Sequence, residues 1–268
     1  MTADLVDAAR QAAHLAGELI AAGDASRGKA KGAGDYVTDT DVACERAIEA
    51  SLLGATGIPV VGEEAAASGE TGDRYWLVDP IDGTTNFMHG FPAVGVSIAL
   101  IEDGGPVVGV VHAPFLGETY SASRGEGAWL ARAHNPPFRL SVSERPSERA
   151  VVATGFPFRR KELIPRHLRV VEACLQRCED LRRPGAASLD LAWVAAGVFE
   201  GFFELNLSSW DVAAGALLVE EAGGLVSDWS GGPDYLSGNI IAGNPATHAV
   251  LVEIAEEGTD TGSAPSPA

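Results

Sequence analysis

The sequence predicts an α+β fold in two lobes, and three observations carry that prediction. Apolar residues recur at helical spacing from Ala3 to Ala22; short strand-like runs separated by Gly-rich turns fill Val94 to Leu140; and strands and helices alternate from Arg149 onward. With 268 residues, 46% of them hydrophobic, the chain has material for one large core or two modest lobes, because single cores stop growing near about 250–300 residues. The change of pattern divides it into a lobe of about 1–145 and a second of about 146–256. The segment 257–268, ending Gly-Ser-Ala-Pro-Ser-Pro-Ala, has too little apolar character to pack and is expected to be disordered.

Leu5, Val6, Leu15, Leu19 and Ile20, with alanines between them, make an amphipathic first helix over Ala3–Ala22. Gly23–Gly34, rich in Gly, Lys and Ala, reads as a loop. Thr38, Asp39 and Thr40 then offer capping oxygens to a helix running to about Leu53, which puts Asp41 near a helix start. Ile58–Val61 and Trp76–Val78 are apolar runs ending at Glu63 and Asp79, as buried strands do when they deliver side chains to a site. Val94–Ile101, Pro106–His112, Glu118–Ser123 and Ala128–Leu130 form an antiparallel meander. The second lobe reads as strand Val151–Ala153, helix Ile164–Arg177, helix Ala187–Val198, strand Gly201–Glu204, helix Trp210–Ala222, strands Leu225–Ser227 and Ile240–Ala242, and a last helix from about Pro245.

Composition excludes some functions. A net charge of −18 argues against nucleic acid as a partner, since phosphate contacts need clustered Lys and Arg. The start lacks a basic segment followed by an apolar one, and no apolar run approaches the roughly 18 residues a bilayer span requires; a membrane role and export are not expected. Cys44, Cys174 and Cys178 are too few for a disulfide framework, and a reducing cytoplasm suits them. Cys174 and Cys178 sit one helical turn apart, but no second pair at zinc spacing follows.

The chemistry lies in the acidic clusters. A hard divalent cation such as Mg²⁺ prefers carboxylates, carbonyls and water. Gly62-Glu63-Glu64 supplies a carboxylate at one strand end, Asp79 and Asp82 supply two more across an expected tight turn stiffened by Pro80, and the Ile81 carbonyl lies between them. Such a cluster repels itself unless cations neutralise it. Gly83-Thr84-Thr85-Asn86 follows at once and offers amides and hydroxyls to a phosphate. Metal and anion sites would then adjoin, as metal-assisted phosphate-ester hydrolysis requires, with Asp79 bridging the ions. Asp-Pro and Asp-Gly pairs are also ordinary turn formers, and Asp211, read alone, is a helix cap. Their joint occurrence favours a site.

These elements resemble the inositol monophosphatase family. Gly62-Glu63-Glu64, the run Trp76-Leu77-Val78-Asp79-Pro80-Ile81-Asp82-Gly83-Thr84-Thr85-Asn86-Phe87, and Trp210-Asp211-Val212-Ala213-Ala214-Gly215 with Glu221-Ala222-Gly223-Gly224 match in order and spacing, over about Ala3 to Ala255. Asp35–Asp41 is similar as well, and Ala153-Thr154-Gly155-Phe156-Pro157-Phe158 favours the bacterial branch. The resemblance implies a layered αβαβα sandwich shared with sugar bisphosphatases, two to three Mg²⁺ ions, lithium sensitivity and a homodimer. It implies that Glu63, Asp79 and the Ile81 carbonyl hold one ion and that Asp79, Asp82 and Asp211 hold another. Glu63 would face the water of a third, and Thr84, polarised by Asp41, would orient the nucleophilic water with no phosphoenzyme. Gly83, Thr84 and Thr85 would receive the phosphate. Arg183, Gly185, Ala186, Ala187, Glu204 and Asp211 would meet the rest of the substrate.

Two features bear on how closely the chain follows the family. Ala186 stands where the family often has Ser or Thr, so one hydroxyl near the substrate is missing. Lys31 is spaced to reach the phosphate and reads equally as a solvated loop lysine. No histidine receives a role, although His89 could shape the rim of the site, and Arg159-Arg160-Lys161 reads as a solvated helix start. Arg183 could also lie at a dimer contact. The leading substrate is inositol 1-phosphate; histidinol phosphate, fructose 1,6-bisphosphate and a 3′-phosphonucleotide are alternatives. A non-catalytic binding or regulatory protein and a structural calcium protein are the readings of other classes.

Overall fold

In the computed structural model, which describes residues 2–23, 29–32, 35–63, 72–133 and 135–258, the first half of the chain is organised by a seven-stranded sheet. Its strands are β3 (Val60–Gly62), β4 (Arg74–Asp82), β5 (Gly95–Glu102), β6 (Gly105–Ala113), β7 (Glu118–Ser123), β8 (Gly127–Arg132) and β9 (Asn135–Arg139), neighbours in that order. Only β3–β4 is parallel; from β4 to β9 the expected antiparallel meander holds.

Alternation along β4 assigns the two faces of this sheet. Trp76 and Val78 join Ile98, Leu100, Val108 and Val110 beneath two helices, α1 (Thr2–Ala22) and α2 (Asp39–Thr56), which contribute Ala9, Ala12, Ala13, Ala16, Ile20, Cys44, Ile48 and Leu52. Leu77, Ala99, Ile101 and Val111 face the other way, onto α5 (Ala187–Ala195) and α6 (Ser209–Glu221).

Those two helices are apolar around their whole circumference because a second sheet covers their far side. That sheet has the order β11 (Asp180–Arg182), β10 (Val151–Thr154), β12 (Gly201–Glu204), β14 (Ile240–Gly243), β13 (Leu225–Ser227). Phe202, Ala242 and Ala153 point into the middle layer, whereas Val152, Phe203 and Ile241 point onto α4 (Ile164–Arg177) and α7 (Pro245–Glu257). The result is the layered αβαβα sandwich. Glycine permits the closest approach in it: a Cβ on Gly109 of β6 would lie 2.8 Å from the Ala214 carbonyl oxygen of α6.

Three local expectations are corrected, and two strands are added to those expected. Residues 29–32, read as loop, form β1 (Lys29–Gly32), paired antiparallel with β2 (Asp35–Val37); pairing, not composition, defines such short strands. Asp79–Asp82, read as a tight turn, is strand, with an irregular register between Asp79 and Asp82. Pro80 has no N–H for the ladder, and an irregularity there is how a sheet accommodates it. The turn comes one residue later, at Gly83 with φ +90°, before the short helix α3 (Thr84–His89). The helix from Ala187 stops at Ala195 rather than Val198, where Gly197 turns left-handed at φ +69°. The edge strands β9 and β11 lacked the expected pattern: β9 carries Pro136 and Pro137 and is exposed throughout. Glu64, His134 and 259–268 lie outside the described residues, as do the side chains of Lys29 and Lys31.

Candidate active site

Parallel pairing of β3 with β4 continues for one residue, from the Glu63 amide to the Val78 carbonyl at 3.2 Å, and sets Glu63 beside Asp79. The irregularity in β4 turns the chain so that Asp79, the Ile81 carbonyl and Asp82 all face one cleft. The Asp79 carboxylate accepts the Ile81 amide at 2.9 Å. Ser97, opposite Asp79 on β5, donates its hydroxyl to the Trp210 carbonyl at 2.8 Å and so fixes the start of α6, which carries Asp211.

Glu63, Asp79, Ile81, Asp82, Gly83, Thr84, Thr85, Arg183, Gly185, Ala187, Glu204 and Asp211 thereby line one cavity of about 130 Å³. Asp41 does not line it, but its Oδ1 lies 3.2 Å from the Thr84 hydroxyl, which is also 3.0 Å from the Ile81 carbonyl. The remaining wall is Gly155, Phe156, Pro157, Phe158 and Arg159 on one side and Leu205, Asn206 and Leu207 on another. Ala186 is a correction. It is buried behind the Gly83 backbone and off the cavity wall, so it makes no surface for substrate. His89 is exposed and also off the wall, and Cys174 and Cys178 are buried with their thiols hydrogen-bonded to each other.

The cluster is electrostatically loaded. Burial, followed by the charges of Glu63, Asp82 and Asp211, pushes Asp79 well above the usual carboxylate range. Burial and the neighbouring Asp82 raise Asp211 to about 7, and Asp211 and Asp79 hydrogen-bond side chain to side chain, which requires a proton on one of them. Glu204 is raised to about 8 by burial and by Asp211, with Arg183 opposing. Among the described residues, no three Asp, Glu, His or Cys side chains already point at a common centre. One oxygen of each aspartate is instead engaged elsewhere: Asp82 Oδ2 accepts from Ser188, and Asp211 Oδ2 from the Ser208 amide at 2.7 Å. Even so, the donor set fits a hard divalent cation. It is all oxygen, it combines carboxylates with the Ile81 carbonyl, and its crowding is of the kind a cation relieves.

Three positioning residues escaped the sequence reading. Asn86 of α3 donates from Nδ2 to the Ala93 carbonyl at 2.8 Å and the Pro184 carbonyl at 2.9 Å, tying the phosphate-loop helix to the segment that carries Arg183 and Gly185. Ser97 and Ser188 are the others, both fully buried. An isolated buried serine leaves no sequence signal, whereas Asn86, inside the matched motif, could have been found. Phe156 and Phe158 also went unassigned; the Arg183 guanidinium lies over them, 6.0 Å and 5.3 Å from the ring centroids.

Comparison with known proteins agrees with this geometry. Residues 1–260 match the inositol monophosphatase family. The chain is 41% identical over 262 residues to the Nus factor SuhB of Escherichia coli (strain K12), covering 95% of this chain and 96% of that protein. Among solved structures, the extragenic suppressor protein suhB from Bartonella henselae superposes with a TM-score of 0.86 at 38% identity, covering 95% of this chain and 99% of that one. The inositol monophosphatase from Anabaena (Nostoc) sp. PCC 7120 gives 0.83 at 32% identity, covering 94% and 95%.

Proposed function

The chain belongs to the inositol monophosphatase family, and from that premise we propose that it hydrolyses a small phosphate monoester, inositol 1-phosphate foremost, in the presence of Mg²⁺. The observation that carries this reading is the meeting, in one cleft, of the carboxyls of Glu63, Asp79, Asp82 and Asp211, the Ile81 carbonyl, Thr84 with Asp41 behind it, and the amides at the start of α3. Glu63, Asp79 and the Ile81 carbonyl would hold one ion, Asp79, Asp82 and Asp211 would hold a second, and Glu63 would serve a third. Two to three Mg²⁺ ions, when bound, would supply charge neutralisation at the phosphate and lower the pKa of water.

This chain's own residues do the rest. The Thr84 hydroxyl, held between Asp41 and the Ile81 carbonyl, orients the attacking water; Asp41, behind it, polarises that hydroxyl, and Glu63 on the cavity wall draws the proton of the water. The first amides of α3 lack intrahelical partners and, with Gly83 and the Thr85 hydroxyl, receive the phosphate oxygens. Arg183, Gly185, Ala187, Glu204 and Asp211 meet the alcohol. Burial, followed by Asp211, pushes Glu204 up to about 8 in the metal-free cleft, and its acid form can donate a hydrogen bond to a hydroxyl of the kind a polyol offers.

A panel of phosphomonoesters assayed for Mg²⁺-dependent phosphate release tests this reading. Inositol phosphates should lead the panel, and flat activity on them would reject that substrate. Lithium inhibition, a homodimer and residence in a reducing cytoplasm belong to the same proposal. The name Nus factor borne by the relative from Escherichia coli supports a second reading, a protein-binding role. An apolar groove of about 420 Å³ formed by Phe91, Leu116, Trp193, Val198 and Phe199 beside Arg182 and Arg183 is compatible with it. Asp82→Asn separates the two, abolishing turnover while leaving any such binding intact.

A further inference from the structure

The pair of hydrogen bonds that reaches Asp82 from α5 points to a function for a residue outside the matched motifs. Ser188, the second residue of α5, donates both its amide, at 2.7 Å, and its hydroxyl, at 2.5 Å, to the same oxygen, Asp82 Oδ2. The Ala187 amide also donates to this carboxylate. Ser188 is fully buried, and Asp82 is 8% exposed.

The far side of the hydroxyl is shaped for it. A Cβ on Gly95 of β5 would lie 2.7 Å from Ser188 Oγ, so any larger residue at 95 would displace the hydroxyl from its place. Gly95 is the register partner of Asp82 across the β4–β5 irregularity. One carboxylate, one hydroxyl and one missing side chain thus form a single arrangement spanning β4, β5 and α5. The chain lacks a hydroxyl at Ala186, where the family often has one, and carries this one two positions later with a different direction: toward the carboxylate rather than the cavity.

We propose that Ser188 is a positioning residue for the divalent cation. By anchoring Asp82 Oδ2 it fixes the plane of the carboxylate and leaves Oδ1 alone to face the cleft. The inference rests on the metal-dependent reading of the site. Outer hydrogen bonds of this kind fix ligand orientation, and their loss typically weakens metal affinity 10–100-fold.

The test is Mg²⁺ binding to Ser188→Ala by titration calorimetry without substrate, with Mg²⁺-dependent phosphate release as the second readout. The expected result is affinity weakened about tenfold or more, a right-shifted Mg²⁺ activation curve, and turnover near that of the unaltered protein once Mg²⁺ saturates. Gly95→Ala, which crowds the hydroxyl without removing it, should weaken Mg²⁺ binding in the same direction, and should weaken it no further when Ser188 is already Ala. Mg²⁺ affinity within about twofold of the unaltered protein, or a lower turnover that saturating Mg²⁺ does not restore, would overturn the role. If the unaltered protein itself takes up no Mg²⁺, the metal-dependent reading fails and this inference with it. Normal uptake in the unaltered protein beside equal uptake in Ser188→Ala sinks the Ser188 role alone.

Discussion

Thr84 and Glu204 are where single atoms decide the chemistry. The Thr84 hydroxyl has one proton and two acceptors, Asp41 Oδ1 at 3.2 Å and the Ile81 carbonyl at 3.0 Å, and the lone pairs it keeps are what can hold a water. Thr84→Val keeps the shape and removes that function, so kcat should fall about 10²-fold or more with KM nearly unchanged, while Thr84→Ser should recover much of the rate. An equal rise in KM and no loss in kcat would assign Thr84 to binding instead. Glu204 supports a different expectation. Its protonated acid resembles glutamine as a donor, so Glu204→Gln should leave KM for inositol 1-phosphate within a few-fold at pH 7, whereas Glu204→Ala should raise it. A Gln variant as poor as the Ala variant would show that the charge, not the hydrogen bond, is required. The upward shift of Glu204 could not be read from sequence, because it follows first from a burial that only the folded cleft creates.

Three helix starts hold three of the acids, each by one oxygen. The α2 cap gives Asp41 Oδ2 the Thr38 amide at 2.8 Å and the Thr38 hydroxyl at 2.5 Å, α5 gives Asp82 Oδ2 the Ser188 amide and hydroxyl, and α6 gives Asp211 Oδ2 the Ser208 amide. A carboxylate at a helix N-terminus is favoured by the free amides and the dipole, so the same contacts that start the helices orient the site. Capping and function are therefore one feature here, not alternatives, which is why reading Asp211 as a cap and as a ligand gave two answers that are both compatible with its position. The caps at Thr38–Asp41, the periodicity of α1 and the apolar run of α6 were legible because they are local. The strand through Asp79–Asp82 was not, since an Asp-Pro-Ile-Asp-Gly run has turn chemistry and only pairing with β5 makes it strand. The bond from α5 to Asp82 spans residues distant in sequence and leaves no local trace. Coupling of cap and site can be tested by comparing two caps. Thr38→Ala and Asn244→Ala, the latter removing the bond to the Thr247 amide at the start of α7, should each cost about 1 kcal/mol. Only Thr38→Ala should also lower kcat, since Thr38, unlike Asn244, holds Asp41. Equal kcat in both variants would uncouple the cap from the chemistry.

Across the whole molecule, the acids lie where the middle helical layer and the seven-stranded sheet meet the loops of the second sheet, so folding itself forces like charges together. Asp79, Asp211 and Glu204 all have raised pKa values, with Asp211 at about 7 and Glu204 at about 8. For a carboxyl raised in this way, the stabilising protonated form is fully present below its ordinary pKa near 4 and is lost as pH rises through the raised value, because above it the folded state must ionise a group that burial opposes. In a chelating buffer, stability should therefore fall steadily between pH 5 and pH 8, by at most about 1.4 kcal/mol per pH unit for each group, and Tm should fall with it. Mg²⁺ acts in the opposite sense, since it requires the ionised carboxylates and competes with their protons. At about 100 times its Kd, one ion should add about 2.7 kcal/mol, roughly 5–10 °C for a domain of this size, with the larger gain at pH 8 and the smaller at pH 5. Asp79→Asn should flatten both the chelated pH slope and the Mg²⁺ increment, because it removes the group on which the other charges act. A Tm that is independent of pH in chelator, or a Mg²⁺ increment that does not grow with pH, would mean that the crowding of these carboxyls is relieved without a cation. That result would remove the physical argument for a metal in the cleft, since the energetic demand made by the fold and the chemistry assigned to the site rest on the same charges.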